Sequence, residues 1–466
     1  MAVIERADFI QEEGIAQALA TAKKPAAQRV RELLAKAREL KGLSMEEVAV
    51  LFGVEDPELL SEVMHTAKEI KQLIYGTRLV IFAPLYVSNL CSNECSYCAF
   101  RASNKEAKRR TLTQKEIAAE VRILISQGQK RLILVAGETM PKEGFQYILD
   151  SIKTIYATKV GNGEIRRVNV NLAPPTVGEC RQLKDAGIGT YQCFQETYHR
   201  PTYAAVHRRG TKRIYDWRAT VFDRAMTAGI DDVGMGVLYG LYDWRWETLA
   251  LMQHIAHLER EFGCGPHTLS FPRIEPAAGS KLAAQPPYAV SNRDFLKLIA
   301  IMRLAVPYTG MIMSSREKPE MRRQTYELGI SQISAGCRTD PGGYAQGSAD
   351  NEGSQFQSGD HRELDEVLRD VIETGHLPSF CTACYRTGRT GADFMDLAKP
   401  GDIKYRCQPN ALSTLKEYLI DYASPETKAA GEKLIADELA AMDKRQLSVT
   451  EPMLAQVRDG ERDVFV

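Results

Sequence analysis

Along residues 1–76 the apolar positions recur every three or four residues. Val30, Leu33, Leu34 and Ala37 form one stripe, the spacing of an amphipathic helix. Ser44, three residues ahead of Glu47, makes a capping-box pair before the apolar stretch 48–52. Pro57, a residue the first helical turn tolerates, opens a further helix to residue 75. From residue 77 the period changes. Short apolar runs at 79–87, 132–135, 168–171, 190–194, 232–237, 268–271, 311–313 and 332–334 are spaced by helical stretches. These fall at 114–127, 145–156, 177–185, 215–228, 246–262, 292–306 and 318–328. The alternation predicts parallel βα units. Eight runs over about 260 residues match a closed (βα)8 barrel of the TIM type. An open doubly wound sheet is the alternative, since the last run is short. Residues 337–361 are rich in Gly, Ser, Asp and Gln and predict a loop or linker. Helices return at 364–373, 412–422 and 426–442. The expected α/β chain has three parts: an N-terminal helical extension (1–76), the barrel (77–340), and a linker with a mainly helical C-terminal domain (341–466).

Charge narrows the partners. Lys+Arg and Asp+Glu each number 60 in 466 residues, for a formal net charge of zero. That argues against nucleic acid or an anionic membrane as a partner. No apolar run approaches the roughly 18 residues that span a bilayer. The first residues lack the apolar core of a signal peptide, so the cytoplasm is the expected compartment.

The ten cysteines change the picture most. In a reducing compartment, clustered cysteines point to metal or redox chemistry. Cys180, Cys193, Cys264 and Cys337 are scattered and read as small buried hydrophobes. Cys91, Cys95 and Cys98 form C-x3-C-x2-C directly after the first run, on a loop at the face where barrel active sites lie. Three close thiolates suit an iron–sulfur cluster with one iron free of protein ligands. Zinc with a distant histidine is the alternative. Cys381, Cys384 and Cys407 form a second set, C-x2-C-x22-C. His376 could complete a zinc site there; a second open-iron cluster is the other reading. Ala136, Gly137 and Glu138 end the second run, and Gly234 and Gly236 flank Met235 in the fifth. Alone, Gly-x-Gly after a strand is a weak sign and equally marks a tight turn.

Together these residues resemble the radical S-adenosylmethionine (SAM) superfamily, as does Tyr97 ahead of the last mouth cysteine. The resemblance implies a [4Fe-4S] cluster on Cys91, Cys95 and Cys98 whose open iron binds SAM. Electron transfer then cleaves SAM to methionine and a 5′-deoxyadenosyl radical. Ala136-Gly137-Glu138 resembles the family's Gly-Gly-Glu segment for the methionyl amine, with Ala at the first position. The Gly234–Gly236 segment would pack on the adenine. Asn169 and Asn171, polar residues in the third run, are expected to face the lumen and bond the cofactor.

Over nearly its whole length the chain is similar to the radical SAM tyrosine lyases. The C-terminal cysteine spacing matches the [FeFe]-hydrogenase maturase type; the thiamine-pathway type, 2-iminoacetate synthase, has only the first cluster. The resemblance implies tyrosine cleavage to p-cresol and dehydroglycine. CO and cyanide would form near the second [4Fe-4S] cluster, with an additional iron there. It also implies a ferredoxin- or flavodoxin-type electron donor and other hydrogenase maturation proteins as partners. Glu196, after the fourth run, is expected to contact SAM or substrate. Arg316, after the seventh, is expected to grip the tyrosine carboxylate. His267 precedes the sixth run, at the end away from the mouth. The resemblance makes it a candidate ligand of the extra iron. The barrel interior is the expected passage between the two clusters. The basic runs 108–110, 207–209 and 322–323 read as solvated charge. His65, His254, His257 and His361 receive no role. A non-catalytic iron–sulfur scaffold is the remaining alternative.

Overall fold

The structure is a computed structural model that describes residues 5–347 and 352–466. Eight parallel strands run in chain order: β1 (Arg78–Ser88), β2 (Arg131–Ala136), β3 (Arg167–Asn171) and β4 (Tyr191–Gln192), then β5 (Val233–Gly236), β6 (Thr268–Ser270), β7 (Gly310–Met313) and β8 (Gln332–Ser334). Each pairs with the next, and β8 closes on β1 through Val80–Gln332, Ile81–Ile333 and Phe82–Ser334. That closure excludes the open sheet. Each of these eight strands falls on a predicted run. The strands hold because both of their faces are buried. Leu79, Ile81, Ala83 and Leu85 of β1 join the main core under the outer helices. Phe82 points the other way and meets Ile133 and Ile312 inside the barrel.

The outer helices fall where the sequence predicts them, with one break. The stretch 215–228 divides into Tyr215–Ala219 and Val221–Thr227. At the break the Thr220 hydroxyl donates to the Asp216 carbonyl at 2.8 Å, a local bond that competes with helix continuation. Helices Glu12–Thr21, Ala27–Ala37, Met45–Phe52 and Pro57–Tyr75 form the N-terminal extension. The Ser44–Glu47 capping box is present, and Pro57–Tyr75 packs along Asn292–Ala305.

Three features depart from the sequence reading. The described part of the glycine-rich stretch 337–361 is bound across the barrel mouth. The Gly359 N–H donates to the Ser315 carbonyl, the Ala99 N–H to the Gln355 carbonyl and the Lys108 N–H to the Glu352 carbonyl, at 2.8, 3.4 and 3.0 Å. Beyond it, β9 (Leu377–Ser379) adds in parallel to the start of β1, with Arg78 opposite Leu377. Pro378 hides this strand from sequence, since proline is tolerated only where no ladder donor is needed. Finally, helix Lys404–Asp421 starts eight residues before the predicted stretch and includes Pro409, which reads as a stop. Helices Pro425–Ala441 and Lys444–Arg458 follow, the second unpredicted. The C-terminal helices thus gather at the end of the barrel where strands begin.

Candidate active site and second cysteine site

The first cysteine loop leaves β1 after a register shift between Tyr86 and Ser88. Arg109 holds it from behind, donating to the carbonyls of Asn89 (2.8 Å), Phe100 (2.9 Å) and Arg101 (2.6 Å). That member of the first basic run is therefore a loop anchor rather than solvated charge. Gly137 leaves β2 so close to this loop that a Cβ there would stand 2.2 Å from the Leu90 carbonyl oxygen. Only glycine admits that approach.

The mouth cavity gathers Cys91, Cys95 and Cys98 with Tyr97, Ala136, Gly137, Glu138, Asn171, Glu196 and Arg316. Burial pushes the thiols up, Cys98 to about 11, so metal binding is what would deprotonate them. The buried Tyr97 hydroxyl lies 2.9 Å from His207 Nε2. His207 is fully buried; burial, then Lys212 and Arg218, hold its pKa well below the usual range. The second basic run thus begins with a neutral packed imidazole.

The cavity floor carries balanced charge. Glu138 accepts from Arg218 Nη1 and Asn93 Nδ2, both at 2.8 Å. Glu196 accepts from Lys212 Nζ at 2.7 Å. Burial raises the Glu138 carboxyl, but Arg218 and Lys212 outweigh it and keep it below the ordinary range. Glu196 sits at φ +71°, a left-handed conformation that is strained for this residue. Glu247 fixes the turn from behind, accepting from the Thr197 hydroxyl and from the Tyr198 N–H (2.7 Å). Against these bonds, burial pushes the Glu247 carboxyl up to about 8. Arg316 is packed over the Phe356 ring, 3.3 Å from its centroid. Among the described residues no carboxylate pairs with it.

Three predicted residues lie off the cavity wall. Asn169 accepts from Arg167 Nε at 3.1 Å inside the barrel. Gly234 makes room for Gln192 and Thr268, and Gly236 for Phe194 and the Ser270 carbonyl.

The second set lies at the opposite end of the barrel. Cys381, Cys384 and Cys407 line a cavity with Arg78, Arg167 and His267. The strand-start position of His267 is thus the end where this site is built. Its ring packs on Phe394 with centroids 4.7 Å apart. Its Nδ1 stands 3.5 Å from Asp232. Burial lowers its pKa to about 4, leaving a neutral imidazole. The hydrogen bond from Cys407 holds Cys384 below the usual thiol range, with Arg389 and Arg167 adding to it. His376 is elsewhere, packed on Tyr326, so it completes no zinc site. The four remaining cysteines are buried, as expected. The expected open passage is not found among the described residues: the two cavities share no lining residue. Phe82, Ile133 and Ile312 pack between them.

The sequence pattern of the radical SAM superfamily matches residues 85–253, and that of the biotin and thiamin synthesis associated domain matches 270–376. The 2-iminoacetate synthase of Escherichia coli strain K12 is 31% identical over 337 residues, 72% of this chain and 86% of that protein. A crystal structure of HydG, described as a maturase of the [FeFe]-hydrogenase, is 52% identical with TM-score 0.95, covering 99% of this chain and 100% of that one. The chain belongs to the radical SAM superfamily, in the group of 2-iminoacetate synthase and HydG. The HydG structure from Carboxydothermus hydrogenoformans is 36% identical with TM-score 0.84, covering 96% of this chain and 97% of that one.

A radical SAM protein of this group is an enzyme that works with SAM and a [4Fe-4S] cluster. The donors at the mouth fit such a cluster. One buried and two half-buried thiols border one cavity, yet among the described residues no three ligating side chains converge on a single ion. A mononuclear zinc site requires that convergence; a cube spreads its ligands. No described helix is long and apolar enough to cross a membrane.

Sequence reasoning missed Lys212, Arg218 and Asn93, which hold the two mouth carboxylates. It also missed Arg78, Arg131 and Arg167 at the barrel's other end. For these a signal existed. Each stands one residue ahead of a predicted apolar run, at 79–87, 132–135 and 168–171.

Proposed function

We propose that the enzyme is a carbon–carbon lyase that cleaves the Cα–Cβ bond of tyrosine to p-cresol and dehydroglycine. It then converts the fragment to CO and cyanide on iron at the second cysteine site, for assembly of the [FeFe]-hydrogenase active site. The observation that carries this reading is the pair of three-cysteine sets at opposite ends of one barrel. When bound, the mouth cluster and SAM supply a 5′-deoxyadenosyl radical, and the second cluster supplies an iron that accepts CO and cyanide.

The chain's own residues divide the remaining work. Arg316, half-buried and without a carboxylate partner among the described residues, is suited to hold the tyrosine carboxylate through its planar fork. Glu138, kept ionised by Arg218 and Lys212, is suited to hold the amine of SAM. Glu196 is fixed toward the same floor by Lys212. The closed barrel keeps water from a radical. His267, neutral and beside the second thiols, is suited to bind a further iron. A low-potential ferredoxin or flavodoxin in the cytoplasm would supply electrons, and other maturation proteins would receive the product.

A 2-iminoacetate synthase is the second reading, favoured by the 31% identity to that enzyme. It leaves Cys381, Cys384 and Cys407 without a task. A non-catalytic scaffold leaves the charged floor of the mouth without one.

The test uses anaerobically reconstituted protein with SAM, a strong reductant and tyrosine. CO is trapped on reduced haem, and p-cresol is measured in parallel. The expected result is both products in the native enzyme and p-cresol alone in Cys381→Ser. Glyoxylate with p-cresol but no CO from the native enzyme would make it a 2-iminoacetate synthase. Neither product, with the mouth cluster intact, would exclude tyrosine.

A further inference from the structure

Three barrel strands open on a buried arginine: Arg78 on β1, Arg131 on β2 and Arg167 on β3. Arg78 and Arg167 line the lower cavity beside the thiols. Arg167 is also answered by Asp232 at 3.3 Å, by Thr190 at 2.9 Å and by Asn169. Arg131 differs. It is 1% exposed, and among the described residues it makes one hydrogen bond, from Nη2 to Gln332 Oε1 at 3.0 Å. Its Nε and Nη1 have no partner among the described residues. The carboxylate nearest in charge, Asp232, is already taken by Arg167 and by the Gly391 N–H. A buried cation with idle donors is unfavourable until an anion or acceptor meets it.

Its place gives the ligand's class. Ala83 pairs with Leu132, so Arg131 begins beside Phe82, which lines the mouth cavity. Its tip reaches Gln332, which lines the lower one. The side chain therefore spans the level between two cavities that share no wall. Burial, then Arg167, lower its pKa to about 9, so the guanidinium stays charged at neutral pH. Nη2 uses one of its two hydrogens on Gln332. Whichever edge that occupies, the other edge of the fork keeps two free N–H groups, the geometry that takes a carboxylate bidentately. The packed layer of Phe82, Ile133 and Ile312 lies at this level, between the two cavities.

We propose that Arg131 is the docking point for a small carboxylate passing between the two cavities. The carboxylate is the α-imino acid left by Cα–Cβ cleavage, so the inference rests on the reaction proposed above. Arg131 holds the fragment at the layer between cavities until the lower site receives it, and without that hold the fragment escapes and hydrolyses.

The test compares native enzyme, Arg131→Gln and Arg131→Lys, all reconstituted anaerobically. Iron content and the spectrum of the second site are recorded before turnover. The expected result in Arg131→Gln is continued p-cresol release, at least a tenfold fall in CO per p-cresol, and glyoxylate in its place. Arg131→Lys, which keeps the charge but not the fork, should fall between. Without turnover, carbon-13-labelled glyoxylate should show saturable line broadening with native protein, weakened about tenfold in Arg131→Gln. Unchanged CO per p-cresol would overturn the inference. So would a fall in CO accompanied by loss of iron from the second site, because Arg131 would then serve only to balance the cluster's charge. Absence of p-cresol from the native enzyme would instead sink the tyrosine reading, and this inference with it.

Discussion

At the scale of single residues, the turn that carries Glu196 is held by a side chain that does not line the mouth cavity. Glu247 accepts two hydrogen bonds from the turn that carries Glu196, and burial pushes its carboxyl from 4.5 to about 8. The fold therefore favours the neutral acid. Its contribution to stability is complete below the unfolded value near 4.5 and is lost as pH rises through about 8. The loss amounts to a few kcal/mol at most (about 1.4 kcal/mol for each tenfold change in the acid's ionisation constant). Glu247→Gln can keep both contacts, its amide donating to Thr197 and its oxygen accepting from Tyr198. The variant should lose part of the fall in melting temperature between about pH 5 and 8. An unchanged pH slope in thermal melts would show that another group titrates. The same scale shows where sequence reading fell short. Cysteine spacing marks a ligand set because its chemistry is local. Lys212 and Arg218 carry no such mark, and only their contacts with Glu138 and Glu196 distinguish them from ordinary surface charge.

At the scale of elements, one fully buried carboxylate ties the C-terminal helices to the barrel. Glu417, on helix Lys404–Asp421, meets Arg166 at 2.8 Å and Lys130 at 3.2 Å. It also accepts from the Asp463 N–H at 2.7 Å. Arg166 and Lys130 stand just before β3 and β2, so the ion pairs fix the helix beneath the strand starts. Glu417→Ala leaves Lys130 without a carboxylate partner among the described residues and Arg166 with only Asp463 at 3.4 Å, and should cost about 3–5 kcal/mol, read from chemical denaturation. A loss under about 1 kcal/mol would mean the helix is held by apolar packing instead. The elements themselves were largely legible. The eight strand runs and the main outer helices follow from hydrophobic period. Residues 337–361 read as a linker because glycine and serine suppress periodicity, yet Gln355 and Phe356 in that stretch belong to the mouth. β9 was invisible because three residues with a central proline look like a turn. They pair only because β1 extends below its neighbours and offers an open edge.

At the scale of the whole molecule, the two cysteine sets occupy opposite ends of one barrel, which under the proposed function separates radical formation from handling of the fragment. The separation predicts an asymmetry. Cys91→Ser should abolish both p-cresol and CO while leaving iron at the second site, measured by metal content and electron paramagnetic resonance. Persistent p-cresol in that variant would mean the radical arises elsewhere. The sequence by itself determined the strand and helix pattern, the barrel and the two cysteine sets. Each rests on residues close in the chain, where spacing alone fixes periodicity or ligand geometry. Tertiary structure decided which end each set occupies and that His267, rather than His376, lines the cavity of the second. It also decided that Arg131 lies between the cavities with two nitrogens unmatched. Those outcomes depend on β8 closing onto β1 and on the chain returning beneath the barrel through β9. Such contacts join residues hundreds of positions apart, and no local pattern encodes them.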